Sequence, residues 1–240
     1  MNTRDFDWKP LALVPALALL VLPFIGSLST WLTLTVAGLA MGMIIFIIAS
    51  GLTLVFGLMD VLNFGHGVFI ALGAFVATSV LGAMGDWTGS EQLWRNMLAV
   101  LPAMLVAMAV AGAVGLAFER FIVRPVYGQH LKQILITMGG MIIGEELIKV
   151  IWGPAQIPLP LPEGMRGSLL VGDAAIEKYR LIAVVVGLVV FGVLAWTLSR
   201  TQVGLLLRAG VQDRGLVESL GYRLRRLFVG VFAVGSALAG

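Results

Sequence analysis

Three polar residues, Asp60, Asn63 and His66, interrupt the otherwise apolar stretch 51–73, GLTLVFGLMDVLNFGHGVFIALG. A carboxylate, an amide and an imidazole can between them accept and donate hydrogen bonds at both ends of a small polar ligand. On a helix, spacing by three puts successive members one turn apart on a shared face. A charged group inside a membrane span costs ~3 kcal/mol or more unless it faces a cavity or a partner, so such a face would line a substrate pathway. Gly57, Gly65 and Gly67 frame the group and allow a broken or re-entrant helix near residues 57–67. Irregular backbone at that depth is tolerated only where protein buries it or water lines it. The same residues also suit a solvated turn between two spans, with Asp60 in water and Asn63 capping the next helix. Both readings stand on sequence.

Other chemistries find little support. Glu145, Glu146 and Lys149 are spaced for an ion pair that satisfies itself at a membrane interface. There is no cysteine, which excludes disulfides, thiolate metal sites and a cysteine nucleophile. Two histidines, His66 and His130, make a histidine metal centre a poor expectation, and no metal is expected. No GxxxxGK[ST] phosphate loop occurs, so the chain is not expected to hydrolyse ATP. No serine–histidine–aspartate set or paired carboxylates suggest a catalyst, and no cofactor is expected on this chain.

The elements that position these residues are membrane helices. Hydrophobic residues make up 59% of the 240 and charged residues 12%, with a mean hydropathy of +1.00. A soluble domain carries about 25% charged residues. Residues 10–59 hold no charge at all, and their length exceeds the ~20 residues one spanning helix needs. The expected fold is all-α, a polytopic integral membrane protein with about seven apolar segments: 11–27, 31–56, a third to residue 84, 97–118, 133–152, 181–198 and 227–240. The first two read as a helical hairpin rather than a signal peptide. Gly38 with Gly42, and Gly140 with Gly144, have the small-xxx-small spacing of close helix contacts. Residues 153–179, rich in proline and glycine, read as an extended loop. The last segment has 14 residues, short for a bilayer of ~30 Å. The sequence therefore reads as one transmembrane domain, 1–240, that continues beyond residue 240.

Within it, residues 199–226 carry six arginines against Asp213 and Glu218, with apolar residues at roughly helical spacing. An amphipathic helix pair fits, lying on anionic lipid or docking a cytoplasmic partner. Alternating the spans puts residues 1–9, 119–132 and 199–226 on one side. That side holds eleven lysines and arginines against five on the other, which makes it cytoplasmic and the N-terminus with it. The basic charge is a topology signal, and no nucleic-acid partner is expected.

GLTLVFGLMDVLNFGHGVFIALGAFVA resembles the signature region of LivH-type permease subunits of bacterial branched-chain amino acid ABC transporters. ERFIVRPVYG with LITMGGMIIGEELIKVIWG, and RTQVGLLLRAGVQDRGLVESLGYRLRRLFVGVFAVGSALAG, resemble the same subunit, so the likeness covers residues 30–240 in three blocks. The resemblance implies a permease in the bacterial inner membrane that moves hydrophobic amino acids without a covalent step. It implies a second permease of the LivM type, two cytoplasmic ATPases that use the ATP, and a periplasmic substrate-binding protein. It makes 199–226 the coupling segment, with Gly204, Arg208, Asp213 and Gly221 as coupling residues, and it leaves Asp60, Asn63 and His66 as candidates for the substrate path. Relatives of this type are also associated with urea and short-chain amides. An ion-coupled secondary transporter and a non-transport membrane scaffold are the alternatives of other classes.

Overall fold

The computed structural model describes residues 9–240, with the side chains of 9–11 and of Arg214 left aside. The expectation of a cytoplasmic N-terminus falls on residues 1–9, and 1–8 lie outside the described residues. The helices are α1 (Lys9–Ile25), α2 (Leu28–Met59), α3 (His66–Ala83), the single turn α4 (Gly85–Thr88), α5 (Leu93–Phe118), α6 (His130–Trp152), α7 (Lys178–Arg200), α8 (Gln202–Gln212), α9 (Arg214–Ser219) and α10 (Leu224–Ala239). Many large apolar side chains on the long helices are exposed, Leu34, Ile45, Val185 and Val189 among them, as contact with lipid requires.

All seven apolar segments are helical, but fewer than seven are spans by length and composition. Among the described residues four qualify: Leu28–Met59, His66–Ala83, Leu93–Val126 and Lys178–Arg200. Helix α6 is 23 residues long but carries Glu145, Glu146 and Lys149, while α1 and α10 have 17 and 16 residues. The loop 153–179 is also less extended than its prolines suggest. It closes into an antiparallel hairpin, β1 (Ser168–Val171) with β2 (Ala174–Glu177), pairing Leu169 with Ile176. Thr33 at the start of α2 donates to the Ala175 carbonyl at 3.5 Å, so the hairpin rests on that end of the bundle.

Helix α10 lies between α2 and α5, and α3 packs on α5 and α6. The core is aromatic at its centre: Phe69 meets Phe118 edge-on at 5.5 Å and Phe232 at 6.2 Å. Backbones approach closely where both helices offer a small residue. A Cβ on Gly235 would stand 2.7 Å from the Gly51 carbonyl oxygen, and one on Gly115 would collide with Ser236. With lipid as solvent, such approach adds dispersion contact in place of a hydrophobic drive. Gly140 and Gly144 also make helix contacts, but by admitting large side chains, their Cβ positions falling 2.7 Å from the Phe118 ring and 2.6 Å from Val68. Gly38 and Gly42 do not, since nothing lies within 4 Å of a Cβ at either. Their spacing alone could not say whether a partner helix reaches that face.

Candidate substrate cleft and coupling segment

Helix α2 stops at Asp60, whose φ of 56° is left-handed and whose N–H still bonds the Phe56 carbonyl at 3.0 Å. Residues 60–63 carry no helix, and the chain turns back into the bundle beside α6. There the backbone loses its own partners, and α6 supplies replacements. The Leu62 N–H donates to Gln133 Oε1 at 3.3 Å and the Phe64 N–H to Thr137 Oγ1 at 3.2 Å. Gln133 and Thr137 are fully buried and one helical turn apart, so their spacing matches two residues of extended chain. Asn63 Oδ1 then accepts from the Gly65 N–H at 3.0 Å and turns the chain into α3. Gly65 must be glycine here, because a Cβ would lie 2.6 Å from the Phe118 ring.

His66 opens α3 and its Nε2 lies 3.2 Å from the Ile48 carbonyl. Ile48 precedes the end of α2 by eleven residues, about 16 Å along its axis, so the His66 ring reaches well inside the bundle. The break expected near 57–67 is present and re-entrant. The shared helical face is not: with Asp60 left-handed and no helix before His66, the three residues separate. Asp60 is exposed, 3.7 Å from His130 Nε2, whereas Asn63 and His66 are 5% and 6% exposed. The solvated turn therefore describes Asp60, while Asn63 and His66 are buried in the bundle. Asn63 serves the turn before α3 rather than capping the helix itself, which has Gly65 as its N-cap.

Asn63 and His66 line a cleft of about 580 Å³ walled by Ile48, Leu52, Thr53, Phe56, Phe64 and Ile70. Ligand sites commonly have ~300–1,000 Å³. Each contributes a buried atom without a protein partner, Asn63 Nδ2 and His66 Nδ1. The bond to Ile48 needs the hydrogen on Nε2, which leaves Nδ1 an acceptor in the neutral ring. Two residues of the cleft thus carry one donor and one acceptor, both closed off from its surface as packed here, beside the positive end of α3. A buried polar atom without a partner costs ~1–3 kcal/mol, which a polar ligand would relieve.

Asp60 belongs to a second cavity, about 660 Å³, with Phe56, Gly57, Tyr127, Gly128, Val211, Gln212 and Asp213. It lies between the end of α2 and the turn from α8 to α9. Phe56 lines both cavities, so the α8–α9 turn and the cleft border on one shared side chain.

The four expected coupling residues each hold a local geometry. A Cβ on Gly204 would collide with the Leu198 backbone, so glycine permits the tight elbow from α7 to α8. Thr201 caps α8, accepting from the Gly204 N–H at 3.3 Å. The Arg208 guanidinium donates to the Leu198 carbonyl near the α7 C-terminus, where a cation also meets the negative end of the helix dipole. Asp213 caps α9, accepting from the Leu216 N–H at 2.9 Å, and Gly221 has a φ of 87°. Gly204, Leu207 and Gly210 face inward, while Leu205, Leu216 and Leu220 remain 59%, 59% and 68% exposed.

The family described as the permease component of branched-chain amino acid transport systems matches residues 34–240. The chain belongs to this permease family. BraD of Pseudomonas aeruginosa, a high-affinity branched-chain amino acid transport system permease protein, is 31% identical over 216 residues, or 85% of this chain and 66% of BraD. LivH of Escherichia coli, of the same description, is 27% identical over 208 residues, 84% of this chain and 66% of LivH. LivH of Salmonella typhimurium is 26% identical over the same length. The chain thus spans 66% of the length of these relatives, and no solved structure matches it.

In this permease the polar residues that hold the re-entrant segment, Gln133 and Thr137, escape a reading built on charge. Their signal is two hydrogen-bonding residues at i and i+4 in an apolar helix. Glu119 escapes as well. It sits 2% exposed at the first residue of a π-turn (Glu119–Val123) and accepts from the Tyr127 hydroxyl at 2.6 Å, closing the loop to α6. Asn96 is fully buried and ties α5 to the opposite loop, accepting from the Gly164 N–H at 2.7 Å. Glu146 and Lys149 form an exposed pair at 2.6 Å, which screening makes a minor contributor.

Proposed function

We propose that this chain is a membrane permease subunit of an ATP-driven importer and that it carries branched-chain amino acids through the cleft at Asn63 and His66. The observation that carries the reading is the pair of buried, unpartnered polar atoms in an apolar wall. A zwitterionic amino acid has complementary groups. Once the wall opens around the two atoms, its carboxylate accepts from Asn63 Nδ2 near the start of α3, its ammonium donates to His66 Nδ1, and its aliphatic side chain lies against Leu52, Phe56 and Ile70. Binding and release suffice, and no covalent step is needed.

The branched-chain substrates named for BraD and LivH support that choice. The machine would comprise a second permease, two ATPases that hold and hydrolyse the ATP, and a binding protein that delivers substrate. The α8–α9 segment, with Gly204, Arg208, Asp213 and Gly221, would seat in the ATPase, its exposed Leu205, Leu216 and Leu220 meeting that surface. The arginine-rich end would face the cytoplasm. A short amide would also match one donor and one acceptor, and it would suit a cleft whose polar groups are all neutral.

Uptake by the complete importer in proteoliposomes tests the reading. Labelled leucine should enter only with ATP, isoleucine and valine should compete, and urea and propionamide should not. Amide transport without leucine transport would replace the substrate. Leucine uptake without ATP, driven by an ion gradient, would replace the machine.

A further inference from the structure

A groove of about 790 Å³ opens where α5 ends and α10 begins, at the same end of the bundle as the α8–α9 segment. Arg120 and Arg124 line one side, and Arg223, Arg225 and Arg226 the other. Two glutamates accompany them. Glu119 is buried and turned to the Tyr127 hydroxyl, which leaves Glu218 to face five guanidinium groups. None of these arginines has a carboxylate within ion-pair distance among the described residues. Arg225 and Arg226 also stand in the first turn of α10, which holds no acidic residue. Cations there oppose the helix dipole, and an anion placed against them would be stabilised by both.

The inner end of the groove has the opposite character. Its walls are Leu116 and Val229, on two helices packed against each other. Val229 lies five residues past the start of α10, about 7 Å along the helix. The groove therefore begins as a concentration of positive charge at the ends of the helices and continues onto apolar wall one to two turns inward, where α5 belongs to a helix long and apolar enough to span. A soluble protein surface can meet the arginines but cannot follow the groove inward. A phospholipid can do both.

We propose that this groove is a binding site for an anionic glycerophospholipid. The arginines hold its phosphate and headgroup, and one acyl chain lies along Leu116 and Val229. Bound there, the lipid bridges the α5–α6 loop to the junction of α9 with α10, so the coupling segment would be held against the spans partly through a lipid.

The test uses the full-length permease purified in mild detergent. Phosphatidylglycerol and phosphatidylcholine with matched acyl chains are supplied in equal amounts, and the lipid retained after washing is measured by mass spectrometry. Retention should favour phosphatidylglycerol. Each of Arg124→Gln, Arg223→Gln and Arg226→Gln should lower that preference about fivefold, as expected for ~1 kcal/mol per basic residue near an anionic headgroup. Arg166→Gln, in the loop before β1 at the opposite end, should leave it unchanged. The parent protein alone already decides the matter, so a variant that fails to fold does not rescue the idea. Equal retention of the two lipids overturns the site. Arginine variants that keep the lipid preference but lose a co-purifying ATPase subunit also overturn it, and assign the groove to protein docking.

Discussion

Thr137 on α6 accepts a hydrogen bond from the Phe64 backbone N–H at 3.2 Å, across 73 residues of sequence. A backbone group in the re-entrant turn thus depends on one hydroxyl in another helix. Thr137→Val keeps the volume and strands that donor, and the expected cost is ~1–3 kcal/mol. Thr137→Ser keeps the oxygen and should cost less. Thermal unfolding of the purified permease in detergent should rank parent, then serine, then valine. Equal stability of the two variants would show that the hydroxyl is not needed.

Asn63 and His66 should govern substrate affinity. Asn63→Leu removes the unpartnered donor together with the bond from the Gly65 N–H, and His66→Phe removes the unpartnered acceptor together with the bond to Ile48. Each should reduce leucine uptake at least tenfold, about 1.4 kcal/mol, with the importer still assembled. Asn63→Asp should be worse than Asn63→Leu, because a carboxylate would face the carboxylate of the substrate. Unchanged uptake with Asn63→Leu would remove the cleft from the transport path.

Asp60 should behave differently, because its backbone is left-handed and its side chain is exposed. Asp60→Gly should match or exceed parental stability, while Asp60→Val should lose ~1–2 kcal/mol. Since Asp60 shares a cavity with Asp213, Asp60→Ala should lower the maximal rate of uptake and leave the leucine concentration for half-maximal rate unchanged. A shift in that concentration alone would return Asp60 to the substrate site.

The elbow between α7 and α8 should tolerate no side chain at Gly204. Gly204→Ala places a methyl against the Leu198 backbone and should uncouple ATP hydrolysis from uptake. Gly57→Ala, with nothing within 4 Å of the new methyl, is the matched control. Arg208→Glu should release the Leu198 carbonyl and weaken ATPase co-purification. Parental coupling in Gly204→Ala would show that α8 can shift without consequence.

Topology is best tested at exposed positions. Gly164 is a poor probe, since a Cβ there would lie 2.5 Å from Asn96 Oδ1. Leu170 on the hairpin is 77% exposed, and Gln212 ends α8. An impermeant thiol reagent should label Leu170→Cys from outside intact cells and Gln212→Cys only after permeabilisation. The reverse pattern would invert the orientation.

Composition and charge were enough for the class. Nearly continuous apolar segments can only be membrane helices, and the arginine-rich blocks 119–132 and 199–226 come together at one end as alternation requires. The helix pair at 199–226 was readable because amphipathic spacing is a local property. The division within Asp60, Asn63 and His66 was not. Spacing by three implies a common face only if the backbone is helical, and that depends on whether distant groups can satisfy it otherwise. Gln133 and Thr137 do so, which frees residues 60–63 from the helix, buries Asn63 and His66, and leaves Asp60 exposed at the cavity that Asp213 also lines. The same limit applied to Gly38 and Gly42, whose spacing carries no information about which helix comes near. A sequence determines which groups need partners, and only the tertiary packing decides which of them are left without one.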